Sequence, residues 1–384
     1  MLNQKHLFNL PEGLHYLNGA YMSPLLRSSE EAAIIDLQRK RNPGSILPID
    51  FFTEAATLRA NFGKLINSDA AQIAIIPSVS YGIMNAVQNI PLDNGQSVIM
   101  VTDEFPSGFY AVNAWCNRHS KTVQMIHPPE TQHQRGALWS QEILNSITED
   151  TCAVVMSSIH WTDGTLFDLV SIGRKCQELN VVFIVDGSQS VGALPIDVQE
   201  CNIDALICTG YKWLLGSYSL GLAYYGPMFD NGCPIEESWM TRANAEDFTS
   251  LTSYTDDYKP GAMRYNVGEA SNFGLLPILN TSLLQILEWG VENIQNYSNS
   301  LITPLTDFLT ENNFHIEEES WRAKHLFGFK LPPSIDRDTL VNHLKSKNII
   351  VSARGNSIRV STHVYNGEED VKALVEAMNM GNGR

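Results

Sequence analysis

The feature that most constrains the fold of this chain is a series of short apolar runs that recurs between about residues 70 and 226. The runs are rich in β-branched residues and lack polar alternation, which is typical of strands buried on both faces. Helical patterns separate most of them, and strands that alternate with helices predict a largely parallel sheet between helical layers. The predicted strands, seven in number, are QIAIIPS, SVIMVTD, TVQMIH, CAVVMSS, VVFIVDG, DALICTG and LGLAYYG.

The length of 384 residues favours two domains over one. The alternating pattern predicts a large α/β domain at 21–270. Beyond it the sequence becomes a long helical stretch, in which Gly290 and Pro304 are expected interruptions and 271–296 is the expected connecting helix. A smaller α+β C-terminal domain is predicted at 297–384, and residues 1–20 are expected to pack on it.

The composition excludes several classes of partner. A net charge of −16 argues against a nucleic-acid binder, which needs a basic face, and against an anionic membrane surface. No apolar run approaches the ~20 residues of a membrane-spanning helix, and the N-terminal segment lacks the features of a signal peptide, so we expect a cytoplasmic protein. The six cysteines and ten histidines show no metal-binding spacing, so no metal site is predicted.

Chemically useful side chains follow the predicted strands. Ligands bind at the carboxyl ends of the strands in open parallel sheets, so these residues are expected to meet. Ser80 follows one strand and opens a helix, whose N-terminal N–H groups suit a phosphate. Phe105, His160 and Asp186 follow three further strands, and Lys212 comes just after DALICTG.

One cofactor needs a phosphate cradle, an aromatic face, a carboxylate and an isolated lysine together, and it is pyridoxal 5′-phosphate. Lys212 supplies the amine that forms a Schiff base, and a desolvated pocket favours its unprotonated form. Asp186 pairs with the pyridine nitrogen and keeps it protonated, so that the ring withdraws electrons. The ring of Phe105 fixes the plane of the cofactor by stacking on it.

The paired motifs VDGSQSVG (185–192) and TGYKWLLG (209–216) resemble those of the class V aminotransferase group of fold-type I pyridoxal-phosphate enzymes. This group includes cysteine desulfurases, kynureninases and isopenicillin N epimerase-like proteins. The resemblance extends from YLNGAYMSP (16–24) to IRVSTHVYN (358–366). It implies a pyridoxal-phosphate transferase fold, with a mostly parallel seven-stranded sheet in the large domain and a smaller α+β C-terminal domain.

The resemblance also implies roles for individual residues. Lys212 matches the Schiff-base lysine, and Asp186 matches the partner of the pyridinium nitrogen. Arg359 resembles the arginine that binds the substrate α-carboxylate. The further cofactor contacts that it implies are Val79, Ser80, Phe105, Gln189, Thr209 and Tyr211. On the substrate side we place Asn18, Tyr21 and His160.

A segment at 263–272, MRYNVGEASN, matches the part of these enzymes that reaches the cofactor of a partner subunit. A homodimer is therefore implied, with residues near Arg264–Glu269 at the partner's site. Where desulfurases often have Gly-Thr, this chain has Gly268-Glu269, so a cross-subunit phosphate contact from a threonine is not expected here.

The expected reaction is transamination of an amino acid, with Lys212 moving the α-proton and a 2-oxo acid as a possible second substrate. A pyridoxal-phosphate-dependent lyase or epimerase is the alternative enzyme, and a non-catalytic pyridoxal-phosphate-binding relative is the alternative outside catalysis. Desulfurases carry a nucleophilic cysteine just before the arginine, whereas IIVSARGNSIR (349–359) contains none, so desulfuration is disfavoured.

Each residue also has an ordinary explanation. Asp186 could cap an Asp-Gly turn, Phe105 could belong to the core, and Arg359 could form a surface ion pair. Ser78 and Ser80 could serve only as helix N-caps. The joint order and spacing favour the cofactor site, and the chain contains no P-loop, no GxGxxG after a strand and no GxSxG elbow.

Overall fold

The computed structural model describes residues 1–381 except Gln132 and Asn356. Its strands are β1 (His15–Tyr16), β2 (Ile73–Ile76), β3 (Ser97–Val101), β4 (Thr122–Ile126), β5 (Thr151–Ser157), β6 (Val182–Asp186), β7 (Ala205–Thr209), β8 (Gly221–Tyr225), β9 (His315–Ile316), β10 (Leu326–Lys330), β11 (Ile349–Ile350), β12 (Ser352–Arg354) and β13 (Ser357–Ser361).

The helices alternate with the strands in the first part of the chain and cluster in the second. They are α1 (Arg27–Arg39), α2 (Asp50–Ile66), α3 (Val79–Gln88), α4 (Pro106–His119), α5 (Arg135–Ser146), α6 (Leu169–Glu178), α7 (Leu276–Trp289), α8 (Val291–Glu311), α9 (Arg337–Ser346) and α10 (Glu368–Gly381). Within the residues that the structure describes, no helix is both long and apolar enough to cross a bilayer.

The largest sheet has seven strands in the order β2-β8-β7-β6-β5-β3-β4, which confirms the predicted architecture. Every neighbouring pair is parallel except those of β8, which runs antiparallel to both β7 and β2. Parallel strands need a long crossover, whereas only residues 210–220 connect β7 to β8. The short connection forces β8 to reverse, and it holds Lys212 at the carboxyl end of β7.

The large sheet is buried on both faces. Along β6, Phe183 and Val185 belong to one apolar cluster, and Val182 and Ile184 belong to the cluster on the opposite face. This period of two explains why the strands read as continuous apolar runs in the sequence.

A second sheet, of order β12-β13-β10-β9, is antiparallel and lies with α8, α9 and α10 around its own apolar cluster, which includes Leu305, Phe327 and Val360. The N-terminal segment joins this part of the molecule, because β1 pairs with β11 in parallel. The domain boundaries at 270 and 297 stay predictions.

The long helical stretch is divided differently from the expectation. Gly290, at φ +75°, separates α7 from α8 as predicted, whereas Pro304 lies inside α8 and does not interrupt it. Pro304 is on the exposed face of the helix, where water can satisfy the carbonyl that loses its N–H partner. Burial of Leu301, Leu305 and Leu309 on the other face stabilises the helix across this position.

Candidate active site

A cavity of about 340 Å³ lies at the carboxyl ends of the parallel strands, where the sequence places the candidate residues. Segments that follow β2, β3, β5, β6 and β7 meet there. Its wall contains Pro77, Ser78, Val79, Ser80, Phe105, Ser107, Ser157, Trp161, Asp186, Ser188, Gln189, Thr209, Tyr211, Lys212, Tyr218, Ser219 and Leu220.

Lys212 and Asp186 face this cavity together. Lys212 is only 8% exposed, and burial lowers its pKa to about 8 even though the Asp186 charge opposes the shift. Burial raises the pKa of Asp186, while hydrogen bonding to Ser188, whose N–H lies 2.8 Å from Asp186 Oδ1, and the Lys212 charge oppose that rise. The site therefore holds an amine that loses its proton easily and a carboxylate whose ionised form would be stabilised by a cationic or N–H partner.

The aromatic wall is formed by Phe105 and Trp161, whose rings meet edge to face with centroids 5.5 Å apart. Lys212 Nζ lies 5.7 Å from the centroid of the Phe105 ring. Phe105 is 38% exposed, so the alternative in which it is a core residue is wrong. Its face is available to a planar ligand beside the lysine.

Another part of the cavity wall is built from small and hydroxyl residues. Ser78 caps α3 by accepting a hydrogen bond from the Tyr81 N–H at 3.2 Å, so its N-cap role is real. Ser80 lies in the first turn of the helix, with its hydroxyl 3.1 Å from that of Ser78. The buried hydroxyls of Thr209 and Ser188 have no hydrogen-bond partner among the described residues.

These features fit pyridoxal 5′-phosphate. The free N–H groups at the start of α3, together with the hydroxyls of Ser80 and Thr209, can hold a phosphate dianion. Gln189 is fixed at the cavity wall, because its Oε1 accepts from Trp213 Nε1 at 2.9 Å and its Nε2 donates to the Ala20 carbonyl at 3.2 Å. A lysine, a carboxylate and an aromatic face remain for the ring.

Sequence reasoning missed Glu104, which is buried behind the aromatic wall. One oxygen accepts from the backbone N–H of Phe105 at 2.8 Å, and the other accepts from the backbone N–H of Ser157 at 2.7 Å. The Ser157 hydroxyl also donates to Glu104. Ser157 pairs with Asp186 across β5 and β6, so Glu104 ties the stacking residue to the strand beside the carboxylate. Burial raises the pKa of Glu104, hydrogen bonding to Ser157 opposes the rise, and the Asp186 charge adds to it.

Arg359 lies on β13 beside Trp161, just outside the cavity wall. Its Nη1 donates to the Trp161 carbonyl at 2.7 Å, and the side chain is 1% exposed, so the alternative of a surface ion pair is wrong. Burial lowers the pKa of Arg359, and the charge of Arg354 lowers it further. Its Nε and Nη2 are buried without a partner in the described part of the chain.

The other predicted substrate residues have different surroundings. Asn18 is buried, and its Oδ1 accepts from the hydroxyl of Ser352 at 2.6 Å. Tyr21 is 59% exposed, and it lies close enough to Arg354 and Tyr211 to affect the pKa of each. Neither side chain belongs to the cavity wall as it stands.

His160 is turned away from the cavity. Its Nδ1 lies 2.8 Å from the Thr162 hydroxyl and 3.2 Å from Asp163 Oδ1, and its Nε2 lies 3.1 Å from the Thr102 carbonyl oxygen. The ring packs against Trp139 at 5.0 Å. The structure therefore brings Trp161, and not its neighbour His160, to the cavity wall, and it leaves His160 as a buried support of this loop.

The segment expected to reach a partner subunit does not touch the cavity of its own chain. Arg264 Nη1 donates to the Gly232 carbonyl at 3.1 Å, and Glu269 is exposed. A role for Arg264–Glu269 at a partner's site stays a prediction.

Comparison with known proteins places this chain among the class V aminotransferases. The family model described as Aminotransferase class-V matches residues 47–374. An uncharacterized aminotransferase, YcbU, from Bacillus subtilis is 23% identical over 83% of this chain and 81% of that protein. A kynureninase from Shouchella clausii is 21% identical over 97% of this chain and 89% of that enzyme.

Solved structures share the fold. The apo cysteine desulfurase from Thermococcus onnurineus NA1 superimposes with a TM-score of 0.85 at 16% identity, covering 100% of this chain and 99% of that one. The cystine C-S lyase C-DES, in complex with its reaction product cysteine persulfide, gives a TM-score of 0.83 at 20% identity, covering 95% and 97% of the two chains.

Proposed function

The chain belongs to the aminotransferase class-V family, and on that premise we propose that it is a pyridoxal-phosphate-dependent aminotransferase acting at the α-carbon of an amino acid. The observation that carries the proposal is the meeting of Lys212 and Asp186 in one cavity, beneath an aromatic wall and beside the start of α3. A surface lysine would keep an ordinary pKa, whereas burial lowers that of Lys212 to about 8.

The residues divide the work of holding the cofactor. Ser80, Thr209 and the N–H groups that begin α3 would bind the phosphate, Phe105 would stack on the ring, and Asp186 would accept a hydrogen bond from the protonated ring nitrogen. When bound, pyridoxal phosphate supplies an electron sink that allows a bond at the α-carbon of an amino acid to break. A charge-assisted bond of the Asp186 kind is worth on the order of 1.5–3 kcal/mol when shielded from water.

Lys212 is the proposed base. Its Nζ accepts the α-proton of the substrate, and an amine whose pKa lies near 8 suits that step close to neutral pH. Arg359 would orient the substrate through its carboxylate. Holding the amine against the α-carbon makes proton transfer effectively intramolecular, which can supply several kcal/mol.

A lyase or an epimerase is the second candidate, because the same base can return the proton to the same carbon or let a β-substituent leave. The similarity to a kynureninase over 97% of the chain supports a lyase as this second candidate. Desulfuration through a cysteine is not proposed, since no cysteine is among the residues described for the cavity wall. A non-catalytic pyridoxal-phosphate-binding protein would use Lys212 and Asp186 to hold the cofactor, but it would have no need of Arg359, which we propose binds a substrate carboxylate.

The first experiment asks whether the cofactor is attached to Lys212. The purified protein should absorb visible light, and borohydride reduction followed by peptide mass analysis should place a pyridoxyl group on Lys212. The Lys212→Ala variant should lose this adduct, and Lys372→Ala, at an exposed position, should retain it. An adduct elsewhere, or none in protein supplied with the cofactor, would contradict the proposal.

The second experiment separates the reactions. A panel of amino acids is assayed with and without 2-oxo acid acceptors. Turnover that requires an acceptor supports transamination, whereas release of ammonia or of a side-chain fragment supports a lyase. Loss of optical activity without any other product would instead support an epimerase.

A homodimer is part of the proposal, with 263–272 at the partner's site. Exposed aromatic residues near the cavity mouth, such as Tyr218 and Tyr21, are consistent with a covering subunit. Sedimentation at micromolar concentration tests it, and a monomer with full activity would contradict it. A cytoplasmic location is also proposed, and fractionation of the source cells tests it.

A further inference from the structure

Two arginines lie side by side on one face of the β12–β13 hairpin. Ser352 is paired with Arg359 and Arg354 with Ser357, so all four side chains point to the same face and the two arginines are diagonal neighbours. Diagonal neighbours in a sheet are about 7–8 Å apart, within reach of long side chains. The charge of Arg354 lowers the pKa of Arg359, so the two guanidinium groups repel each other, and an anion beside them would offset that repulsion.

The protein supplies no such anion from its described residues. Arg39, Arg135 and Arg242 each form an ion pair with a carboxylate, but neither arginine of the hairpin does so in that part of the chain. Arg354 Nη1 donates to the adjacent Ala353 carbonyl at 2.7 Å, and Arg354 Nε is buried without a partner among the residues described. Carboxylates are not scarce, since the chain has 42 acidic residues against 26 basic ones.

Both arginines act on the proposed active site. The Arg354 guanidinium lies 5.5 Å from the centroid of the Trp161 ring, and Trp161 is part of the cavity wall. The charges of Arg359 and Arg354 each lower the pKa of Lys212, so both act on its amine. Arg359 binds the Trp161 carbonyl and Arg354 lies against the Trp161 ring, so an anionic ligand that extends from Lys212 to Arg359 passes the residue that both arginines contact.

One carboxylate is enough to satisfy Arg359. Its two unpartnered donors, Nε and Nη2, lie on the same edge of the guanidinium and can donate side by side to the two oxygens of one carboxylate. The substrate α-carboxylate fills that role in the proposed function. The unpartnered Arg354 Nε is then left for a different anionic group.

We propose that the amino-acid substrate carries a second anionic group on its side chain, such as a carboxylate or a sulfinate, and that Arg354 binds it. This inference rests on the proposed function. Arg354 would thereby select acidic over neutral amino acids, because a neutral side chain would leave the two arginine charges only half compensated. Trp161 packs against the guanidinium and keeps it at the cavity.

The test uses the holoenzyme and measures binding through the visible absorbance of its cofactor. The probes are L-aspartate and L-glutamate, with L-2-aminobutyrate and L-norvaline as neutral probes of matching length. We expect the wild type to bind at least one acidic probe roughly 10- to 100-fold more tightly than its neutral match, in line with one charged hydrogen bond.

Variants of Arg354 test whether this residue causes the preference for acidic probes. Arg354→Gln should remove it, while the affinity for the neutral probes changes less than about 3-fold; Arg354→Lys, which keeps the charge, should restore part of it. Arg174→Gln, at an exposed position on α6, should change neither affinity. Thermal melts of all three variants show whether each one folds.

Two outcomes would overturn the inference. In the first, the wild type binds neutral and acidic probes with equal affinity. In the second, Arg354→Gln weakens the binding of neutral and acidic probes by the same factor, which would assign Arg354 to the α-carboxylate or to the stability of the fold. Failure of the cofactor site on which the proposed function rests is a separate result, because it appears as the absence of a pyridoxyl adduct on Lys212 before any amino acid is added.

Discussion

At the scale of single residues, the amine of Lys212 is governed by opposing influences. Burial lowers its pKa to about 8, the Asp186 charge opposes that shift, and the charges of Arg359 and Arg354 assist it. The ordinary pKa of lysine is ~10.4, so at pH 8 about half of the Lys212 amines are neutral, whereas an ordinary lysine is almost fully protonated.

We therefore predict that the cofactor-free protein is labelled at Lys212 by acetic anhydride with a pH midpoint near 8. Asp186→Ala should move the midpoint lower, because it removes the charge that stabilises the ammonium form, and Asp93→Ala, at an exposed position, should not move it. Mass spectrometry of individual peptides measures the extent of labelling at each pH. A midpoint at the ordinary lysine value would show that the amine is in contact with water.

Sequence reasoning identified side chains that directly follow apolar strands, because the end of a strand can be recognised from its composition. Phe105, Asp186 and Lys212 were found in this way. The same reasoning could not distinguish His160 from Trp161, since adjacent residues in a loop face different directions that only the packing decides. It does not identify Glu104 either, although a carboxylate that directly precedes an aromatic residue at a strand end is a signal that could do so.

At the scale of elements, the β10–β13 part of the small sheet depends on close approach at Gly328. A Cβ atom on Gly328 would lie 2.9 Å from Asp163 Cα and 3.1 Å from the Thr162 carbonyl oxygen. Gly328 is paired with Arg359 in the adjacent strand. The absence of a side chain thus allows the 160–164 loop, with Trp161, to lie directly against the strand pair that carries the arginine.

Gly328→Ala should displace that loop, because the contacting atoms belong to the backbone and cannot rotate away. We expect the free energy of unfolding to fall by about 1–3 kcal/mol and the KM for the amino acid to rise more than kcat falls. Urea denaturation and steady-state kinetics measure the two effects. Gly44→Ala, where a Cβ would meet only the Asn42 side chain at 3.6 Å, serves as the control and should change neither.

Element types were predictable where periodicity was strong, but the direction of β8 was not. Its composition is that of any buried strand, and only the short connection of 210–220 shows that it must reverse. The continuity of α8 through Pro304 was also missed, because local propensity opposes it and tertiary packing of the buried face decides it.

At the scale of the whole molecule, the two sheets and the N-terminal segment meet around one site. The largely parallel sheet between helical layers could be predicted from the alternation of strands and helices in the sequence. The contribution of the small sheet did not, since the contact between Arg359 and Trp161 spans 198 positions and no local pattern encodes it.

The cofactor should stabilise the whole fold, because it would bind segments from several strands in the native state only. We expect the holoenzyme to melt at a higher temperature than the cofactor-free protein, by an amount that corresponds to about 2.7 kcal/mol at a free concentration one hundred times Kd. Scanning calorimetry with increasing cofactor measures the shift. Equal melting temperatures at saturation would contradict a site shared by these strands.

The pairing of β1 with β11 has a consequence for the way the protein is made. Residues 15–16 cannot complete their hydrogen bonds until residues 349–350 have been synthesised, whereas the segments that carry Ser80, Asp186 and Lys212 are all available much earlier. Distant contacts of this kind form slowly, and domains tend to fold as they emerge. A nascent chain would therefore form the proposed cofactor site first and add the strand with Arg359, the residue proposed to bind the amino acid, last.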